Sequence, residues 1–541
     1  MSHAPLPFAS RRSPVYARHG MVASSQPLAT EAGIEILRDG GNAADAAVAT
    51  AALLALTEPT STGLGGDCFA LFYDGGSGKV TALNGSGRAP HGLTLDLLKE
   101  QGFGRRLPPF HAHNVTVPGA CAGWCDLVDR HGTLGMDRIL ARAIRAAEEG
   151  FPVAPLTAYS WAGGAARQLR SAAGGRQLLL DGRAPKAGEV FRNPGLARTF
   201  RAIARDGKEA FYRGEIAGRI ATAVQASGGV LTVEDLAAHY STWDEPVSTA
   251  YGGVRLWECP PNGQGLVALL TLNLLSEFDL PRDPLGTGRL HLLIEALRLA
   301  FADAHRYIAD PTKAEVPTDA LLREGYAAER AHGIGRGKAN LRATPGLPSA
   351  GSDTVYFSVA DGSGNACSFI NSNYMGFGTG IVPEGTGFPL QNRGANFFLD
   401  PGHPNALAPG KRPYHTIIPA MATREGDGSL YACYGVMGGF MQPQGHVQVL
   451  LALLDGLDPQ AALDRPRICL DEGEPGGTVL IEEGIPETTA AGLRGRGHRI
   501  RRIGGMERAV FGRGQVILRN PTTGVLCGGS DPRADGCAMG F

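Results

Sequence analysis

A two-stranded segment constrains the fold of this chain more than any other stretch. Residues 352–361 read SDTVYFSVAD, in which Val, Phe and Val alternate with Thr, Tyr, Ser and Ala. This period of two is typical of a β-strand with two different faces, and Thr354 lies near its start. The DGSG sequence at 361–364 predicts a hairpin turn, and residues 365–370 predict the returning strand. We therefore expect Ser372 to lie close to Thr354.

Composition excludes several classes of protein. The 541 residues are enough for one large α/β unit or two smaller ones. A formal net charge of -1, from 51 basic and 52 acidic residues, argues against nucleic acid as a partner. An apolar run of about 18 residues, as a membrane span requires, is missing, and the first residues lack the apolar core of a secretory signal. We therefore expect no membrane partner and a cytoplasmic location.

Nine cysteines are scattered singly along the chain, apart from Cys121 and Cys125, which are four positions apart. An odd number in this arrangement fits reduced core thiols better than a disulfide framework. On a helix Cys121 and Cys125 would share one face, but two thiols alone make a poor metal site. We expect them to pack in the core.

Several stretches of the sequence predict helices. Residues 24–27 (SSQP) are typical of a capped helix start, 28–38 of the helix itself, and the alanine-rich residues 43–56 of a second, buried helix. Apolar residues recur at helical spacing in 139–147, 196–203 and 290–308, which we interpret as helices packed on a sheet.

Two motifs suggest other chemistries. The glycine-rich residues 75–79 end before valine rather than serine or threonine and lie between strand-like runs, so they predict a hairpin turn and not a phosphate loop. His111 and His113 form an H-x-H pair, which on a strand opens the ligand set of many metal-dependent hydrolases. No second cluster of ligands accompanies the pair in the sequence, so a metal site stays only an alternative.

Longer motifs resemble one family over nearly the whole chain. They are GGNAADAAVA at 40–49, GLGGD at 63–67, the segment at 352–361, FGTGIV at 377–382, PGKRP at 409–413, GG at 438–439 and GGSDPR at 528–533. Together they resemble the γ-glutamyltranspeptidases. The resemblance implies an α+β fold of the N-terminal nucleophile hydrolase type, a four-layer αββα sandwich. It implies no cofactor and no metal.

The resemblance also implies that the chain is a proenzyme with Thr354 as nucleophile. An N-terminal threonine carries its own base, the α-amine, whose ordinary pKa is about 7.7 to 8. In mid-chain that nitrogen is an amide, so cleavage between Asp353 and Thr354 has to come first. The products would be a large fragment, 1–353, and a small catalytic fragment, 354–541, which together form one αββα unit. We expect them to pair as a heterodimer, and a dimer of heterodimers is left open.

Two further positions match the family's catalytic groups. Gly438 and Gly439 precede a predicted helix at 447–454, and their backbone N–H groups would form an oxyanion hole, with a tight strand-to-helix turn as the alternative. Ser372 falls where the family has a second threonine that hydrogen-bonds the nucleophile. A solvated loop serine is the alternative for Ser372.

The substrate-recognition positions depart from the usual family pattern. The Asn, Gln and Asp that hold a substrate ammonium in the family align with Tyr374, Arg393 and Asn396. The family's paired serines align with His415 and Thr416, and its usual arginine falls at Ser86, with Arg88 two residues further on. An arginine offers a bidentate partner to a carboxylate rather than to an ammonium. A structural salt bridge or a surface charge is the alternative for Arg393.

These departures resemble the transpeptidase-like amidohydrolases, whose substrates include oxamate, a small amide with a carboxylate and no ammonium. The segment between Phe397 and Pro413 is also shorter than in family members that carry a lid, which favours water as acyl acceptor. We therefore expect hydrolysis of a small carboxylate-bearing amide. The alternatives are a γ-glutamyltranspeptidase or glutathione hydrolase, a metal-dependent hydrolase, and a non-catalytic relative.

Overall fold

The computed structural model describes residues 12–342, 353–474 and 476–541, with the backbone alone for Asp353 and Glu472. The strands in these ranges are β1 (Val15–Ala17), β2 (Gly20–Ser24), β3 (Asp67–Tyr73), β4 (Val80–Gly85), β5 (Phe151–Pro152), β6 (Val190–Phe191), β7 (Thr242–Asp244), β8 (Val247–Tyr251), β9 (Val254–Glu258), β10 (Asp353–Asp361), β11 (Ala366–Tyr374), β12 (Ala420–Arg424), β13 (Leu430–Met437), β14 (Ile468–Leu470), β15 (Val479–Glu482), β16 (Ile500–Ile503), β17 (Arg513–Arg519), β18 (Leu526–Ser530) and β19 (Cys537–Gly540).

The α-helices in the same ranges are α1 (Pro27–Arg38), α2 (Ala43–Thr57), α3 (Leu95–Glu100), α4 (Ala120–His131), α5 (Met136–Glu149), α6 (Pro155–Gly164), α7 (Pro194–Asp206), α8 (Glu209–Tyr212), α9 (Glu215–Ala226), α10 (Val233–Ala237), α11 (Gly265–Ser276), α12 (Thr287–Tyr307), α13 (Thr318–Leu322), α14 (Glu324–Ala331), α15 (Met441–Leu454), α16 (Pro459–Asp464) and α17 (Glu487–Gly495). None of the helices in the described ranges combines the length and apolarity needed to cross a bilayer.

Two seven-stranded sheets form the centre of the molecule. The first has the order β1-β18-β17-β13-β12-β9-β8 and the second the order β19-β2-β10-β11-β3-β4-β7. Each sheet combines strands that precede Thr354 in the chain with strands that follow it. Because adjacent strands share hydrogen bonds, neither part of the chain completes a sheet without the other.

Three apolar clusters show how the layers stack. One lies between the second sheet and helices such as α1, α2, α4 and α5, and it contains Val355, Phe357 and Val359. Another lies between the first sheet and α11, α12 and α15. The third fills the space between the sheets and includes Tyr356 and Cys433. The layers therefore run helix, sheet, sheet, helix, which confirms the predicted αββα sandwich.

The hairpin predicted from the sequence is present at the centre of the second sheet. β10 pairs antiparallel with β11, Val355 lies opposite Asn371, and the register shifts between Asp353 and Val355. The returning strand continues to Tyr374, beyond the predicted end at residue 370. Since Tyr356 faces the space between the sheets and Val355 faces the helices, Thr354 also faces the space between the sheets.

Two local expectations differ from the structure. Helix α1 begins with Pro27 as expected, but its N-cap is Gln26, which makes no side-chain capping bond. The Ser25 hydroxyl donates instead to Glu58 at 2.7 Å. The segment with His111 and His113 forms a turn of 3-10 helix over Ala112–Asn114 rather than a strand that could open a ligand set. The His111 ring accepts from the backbone N–H of His113 at 3.1 Å.

Candidate active site

Thr354 and Ser372 meet at the end of the central hairpin. Both side chains are fully buried, and their hydroxyl oxygens are 3.1 Å apart. The Ser372 hydroxyl also accepts from the backbone N–H of Tyr374 at 2.8 Å. Antiparallel pairing of β10 with β11 thus places a fixed hydroxyl beside the threonine, as the sequence predicted.

Arg393 connects this pair to the rest of the site. Its Nη2 donates to Ser372 Oγ at 3.2 Å and its Nη1 to Thr416 Oγ1 at 2.7 Å. The guanidinium also stacks on the ring of Tyr374, 4.3 Å from the ring centroid. Arg393 is fully buried, and among the described residues its Nε finds no hydrogen-bond partner. It is therefore not a surface charge, and its hydrogen bonds within the described residues go to two hydroxyl groups.

Burial lowers the pKa of Arg393 to about 10, although the charge of Asp67 opposes this shift. The side chain therefore stays cationic at neutral pH. A buried cation beside a hydroxyl pair is electrostatically suited to an anionic group, because the attraction is stronger in a low-dielectric interior than in water.

Tyr374 and Asn396 hold the arginine in place. The Tyr374 hydroxyl donates to Asn396 Oδ1 at 2.6 Å, and Asn396 Nδ2 donates to the carbonyl of Tyr414 at 3.0 Å. Tyr374 has φ 80°, in the left-handed region that a non-glycine residue rarely adopts. This backbone conformation directs the ring under the Arg393 guanidinium, so Tyr374 and Asn396 act through the arginine.

Asp67, at the start of β3, is the buried anion of the site and was not predicted as a functional residue. Its Oδ1 accepts from the backbone N–H groups of Gly87 and Gly119 at 2.9 and 3.1 Å and from Gln391 Nε2 at 3.0 Å. Burial alone would raise its pKa, but hydrogen bonds from His415 and Gln391 and the Arg393 charge lower it. In the sequence, Asp67 is the one charged residue between a glycine run and an apolar strand. This position was the signal that could have identified it as a functional residue.

His415 is bound to Asp67 and is not cationic. Its Nε2 lies 3.0 Å from Asp67 Oδ2, and its Nδ1 accepts from the backbone N–H of Ile417 at 3.4 Å. We assign the Nε2–H tautomer from these partners. Burial and the Arg393 charge lower the pKa of His415 to about 3. Both ring nitrogens are thus engaged, and the ring positions Asp67.

Gly438 and Gly439 lie between β13 and α15, with φ 132° and 58°. Ser358 donates to the Cys433 carbonyl at 3.1 Å, and the Tyr356 ring packs on Gly435. Where β10 crosses β13, Ser358 meets Cys433 and Tyr356 meets Gly435. Continuing along β10 to Thr354 therefore corresponds to continuing along β13 toward Gly438 and Gly439.

Hydrogen bonds through Gln264 also place Gly438 and Gly439 near the Thr354 region. Gln264 Nε2 donates to the Gly439 carbonyl at 2.8 Å and to the Thr416 carbonyl at 2.6 Å. Thr416 in turn binds Arg393, which binds Ser372. The turn that carries both glycines is therefore tied to the Thr354 region through buried side chains.

Arg88 lies apart from the Arg393 cluster. Its Nη1 donates to the Tyr240 carbonyl at 3.3 Å, and its guanidinium stacks on the Tyr240 ring. Arg412, which is buried, donates to the Ser86 carbonyl at 3.1 Å and to Thr242 at 3.1 Å. The structure therefore gathers Ser372, Tyr374, Arg393, Asn396 and Thr416 around Thr354 and places Arg88 elsewhere.

The segment before Thr354 is described only in part. The sequence of residues 333–352, rich in glycine, proline and serine, predicts an exposed linker before Thr354. Its second half, residues 343–352, lies outside the described residues, as does the Asp353 side chain. The first half is anchored: the Gly335 carbonyl lies 2.6 Å from His291 Nε2, and the Asn340 N–H donates to Glu295 at 2.8 Å. Residues 333–342 form no helix or strand and are mostly exposed, so this half of the segment is an exposed connection held at two backbone positions.

Potential metal ligands lie away from Thr354. The His113 ring bonds Gln101 Oε1 at 2.7 Å, and within the described ranges neither His111 nor His113 belongs to a group of three ligand-type side chains. His291, Glu295 and His498 do form such a group. However, His291 Nδ1 and His498 Nε2 are hydrogen-bonded at 2.8 Å, and the Arg298 cation lies 3.5 Å from Glu295, which disfavours a second cation there.

Comparison with known proteins agrees with this architecture. Bacillus subtilis has a glutathione hydrolase-like YwrD proenzyme that is 37% identical, covering 96% of this chain and 98% of that protein. The oxamate amidohydrolase proenzyme of Klebsiella pneumoniae is also 37% identical, covering 97% and 98%. The crystal structure of a cephalosporin acylase from Bacillus halodurans superposes with a TM-score of 0.91 at 47% identity and covers 100% of this chain and 99% of that one.

The family model described as Gamma-glutamyltranspeptidase matches residues 29–541, which include both sheets' central strands and the Thr354 site. Full-length similarity to the relatives above points the same way. The chain therefore belongs to the γ-glutamyltranspeptidase family of enzymes.

Proposed function

We propose that this chain is an autoprocessed N-terminal-threonine amidohydrolase that cleaves a small carboxylate-bearing amide through an acyl-enzyme. The main support for the proposal is a pair of buried hydrogen bonds, one between Thr354 and Ser372 and one from Arg393 to Ser372. It joins a candidate nucleophile to a cation that suits a substrate carboxylate. The relatives named as an oxamate amidohydrolase and as acylases support amide hydrolysis as the reaction class.

Processing would come first. The Thr354 hydroxyl attacks the Asp353 carbonyl carbon, the peptide C–N bond breaks, and the hydroxyl proton passes to the nitrogen, leaving an ester. Water hydrolyses the ester into a carboxylate on residue 353 and a free hydroxyl and amine on Thr354. The relatives' designation as proenzymes supports this step. Fragments 1–353 and 354–541 would then remain paired as a heterodimer.

Catalysis would reuse the same hydroxyl. The new α-amine takes the hydroxyl proton while the oxygen attacks the substrate amide carbon, and the N–H groups of Gly438 and Gly439 stabilise the oxyanion. The leaving nitrogen takes the proton from the α-ammonium as the C–N bond breaks. Water then hydrolyses the acyl-enzyme. Ser372 orients the nucleophile, and Arg393 binds the substrate carboxylate from its position beside Ser372.

Glutathione hydrolysis is the second candidate, because the glutathione hydrolase-like relative is as similar as the oxamate amidohydrolase. A γ-glutamyl substrate carries an α-ammonium, which requires an acidic partner. Near Arg393 the buried acid is Asp67, and its oxygens already accept from His415, Gln391 and two backbone N–H groups. A carboxylate without an ammonium is therefore the better match.

A cytoplasmic location is part of the proposal. All nine cysteines are unpaired in the structure, which fits a reducing compartment.

Intact mass of the wild type beside Thr354→Ala tests the nucleophile. Two fragments meeting at Asp353–Thr354 in the wild type and one chain in the variant are expected, and an uncut wild type would overturn the proposal. Ammonia release from oxamate, compared with release from a γ-glutamyl anilide, then tests the acyl group. Full activity after exhaustive chelation is expected, and its loss would favour a metal-dependent mechanism.

A further inference from the structure

We propose that the space between the sheets holds a second subsite beside Thr354, opposite Arg393, which binds the leaving amine of the amide substrate. The inference rests on the proposed function. The subsite consists of Ser25, Glu58, Arg513 and Gln515, which we call the β2-side cluster. Its ligand class is an amine that carries a carboxylate and an apolar group, such as an apolar amino acid.

The sheet register places Ser25 on this side of the nucleophile. β10 has β11, with Ser372, on one edge and β2 on the other, where Ser358 lies opposite Ala23. The pairing is antiparallel, so moving from Ser358 back toward Thr354 corresponds to moving from Ala23 forward to Ser25. Thr354 is thus flanked by the Arg393 cluster on one side and by the β2-side cluster on the other.

The facing sheet supplies the other two residues. β10 packs against both β13 and β17. Arg513 lies opposite Met437 in the ladder, and Gln515 lies opposite Gly435, on which the Tyr356 ring packs. Met437 and Ile517 belong to the cluster between the sheets, so Arg513 and Gln515 face the same space. They therefore face the part of β10 that begins at Thr354.

The four side chains form a polar group beside the apolar cluster between the sheets. Glu58 is 2% exposed and accepts from Ser25 Oγ at 2.7 Å and from Gln26 Nε2 at 3.0 Å. Arg513 Nη1 lies 3.8 Å from Glu58 Oε1. Gln515 is fully buried, yet neither of its amide atoms has a hydrogen-bond partner among the described residues. Since a buried amide without partners is destabilising, this arrangement points to a bound polar group.

A surface cleft reaches the cluster through Arg513. The cleft has a volume of about 160 Å³ and is lined by Arg513, Arg508, Tyr159 and Met506, among others. Tyr159 is 60% exposed and Met506 45%. A water molecule takes about 30 Å³ of liquid volume, so the cleft far exceeds what ammonia needs. The aromatic ring and the thioether suit an apolar group. Arg508 is already paired with Glu482 at 2.6 Å, so Arg513 is the arginine that suits a carboxylate.

The reaction gives the subsite its role. When the acyl group passes to Thr354 Oγ1, the substrate C–N bond breaks and the amine leaves with the proton from the α-ammonium. With the acyl carboxylate held at Arg393, the amine departs toward the opposite side, where the β2-side cluster lies. Gln515 and Glu58 would accept its N–H groups, and Arg513 would bind its carboxylate.

Two substrates with one acyl group test this inference. The cut enzyme is assayed with oxamate and with N-oxalyl-L-phenylalanine, and kcat/KM is expected to be at least about 10-fold higher for the second. Tyr159→Ala should lower kcat/KM about 10-fold for N-oxalyl-L-phenylalanine and less than about 2-fold for oxamate. The matched control is Tyr16→Ala, which removes a tyrosine that is 66% exposed outside the cleft. Equal losses for both substrates, or a preference for oxamate, would overturn the subsite.

Gln515→Leu separates binding from folding. It removes an amide that has no partner in the described structure, so thermal stability should not fall, whereas kcat/KM for N-oxalyl-L-phenylalanine should fall about 10-fold. Calorimetric binding of L-phenylalanine to the cut enzyme tests the subsite independently of the acyl group. No binding, or binding unchanged by Tyr159→Ala, would refute the subsite, while an uncut wild-type chain would refute the proposed function instead.

Discussion

Substituting Arg393 by lysine is the sharpest test of substrate recognition. Lysine keeps the positive charge but loses the planar fork and the stack on Tyr374. A substrate carboxylate bound by two charge-assisted hydrogen bonds gains about 1.5–3 kcal/mol from each. An ammonium restores roughly one of them, so the net loss is about 1.5–3 kcal/mol. We therefore expect kcat/KM for the carboxylate-bearing amide to fall about 10- to 150-fold, since about 1.4 kcal/mol corresponds to tenfold.

The assay separates recognition from maturation. Intact mass should show complete cleavage at Asp353–Thr354 in Arg393→Lys, and the loss should appear mainly in KM. Arg205→Lys is the matched control, because Arg205 is an exposed arginine paired with Asp206, and it should leave both readouts unchanged. Uncut Arg393→Lys would show that the arginine is needed to build the site. Complete cleavage with an unchanged KM would show that the carboxylate binds elsewhere.

The remaining predictions concern His415 and Gly438. Because the pKa of His415 is about 3 when folded and ordinarily 6.5, the unfolded chain binds the extra proton, and stability should fall as pH drops below 6.5. In urea titrations between pH 6.5 and 4.5, His415→Gln should reduce this slope by up to about 1.4 kcal/mol per pH unit, and an unchanged slope would contradict a neutral His415. Gly438→Ala, at φ 132° with its Cβ 3.1 Å from Gly512 Cα, should lower kcat about 100-fold or more in single-turnover assays. Near-normal turnover would remove Gly438 from the oxyanion hole.

The local sequence pattern was sufficient to predict the hairpin and the contact between Ser372 and Thr354 that depends on it. A period of two, a DGSG turn and a second strand fix the register within a few residues, so the approach of Ser372 to Thr354 followed from the sequence. The αββα layers came from the family resemblance, because no periodicity reveals which sheets stack on each other.

The long-range parts of the site could not be read in the same way. The stack of Arg393 on Tyr374 depends on a left-handed backbone at Tyr374, which no propensity for tyrosine predicts. The pairing of Asp67 with His415 joins residues far apart in the chain. Ser25 resembled a helix cap, but its hydroxyl binds Glu58 in the folded protein. In each case tertiary contacts decide between local options of similar energy.

The fold explains why cleavage at Thr354 would change the chemistry and leave the architecture in place. β10 lies at the centre of its sheet, between β2 and β11, and its apolar residues Val355, Phe357 and Val359 pack on α2. The register shift between Asp353 and Val355 already interrupts regular pairing at this end of the strand. Breaking the bond before Thr354 therefore removes little of the ladder. It converts an amide nitrogen that cannot act as a base into an amine that can, beside a hydroxyl that Ser372 already holds.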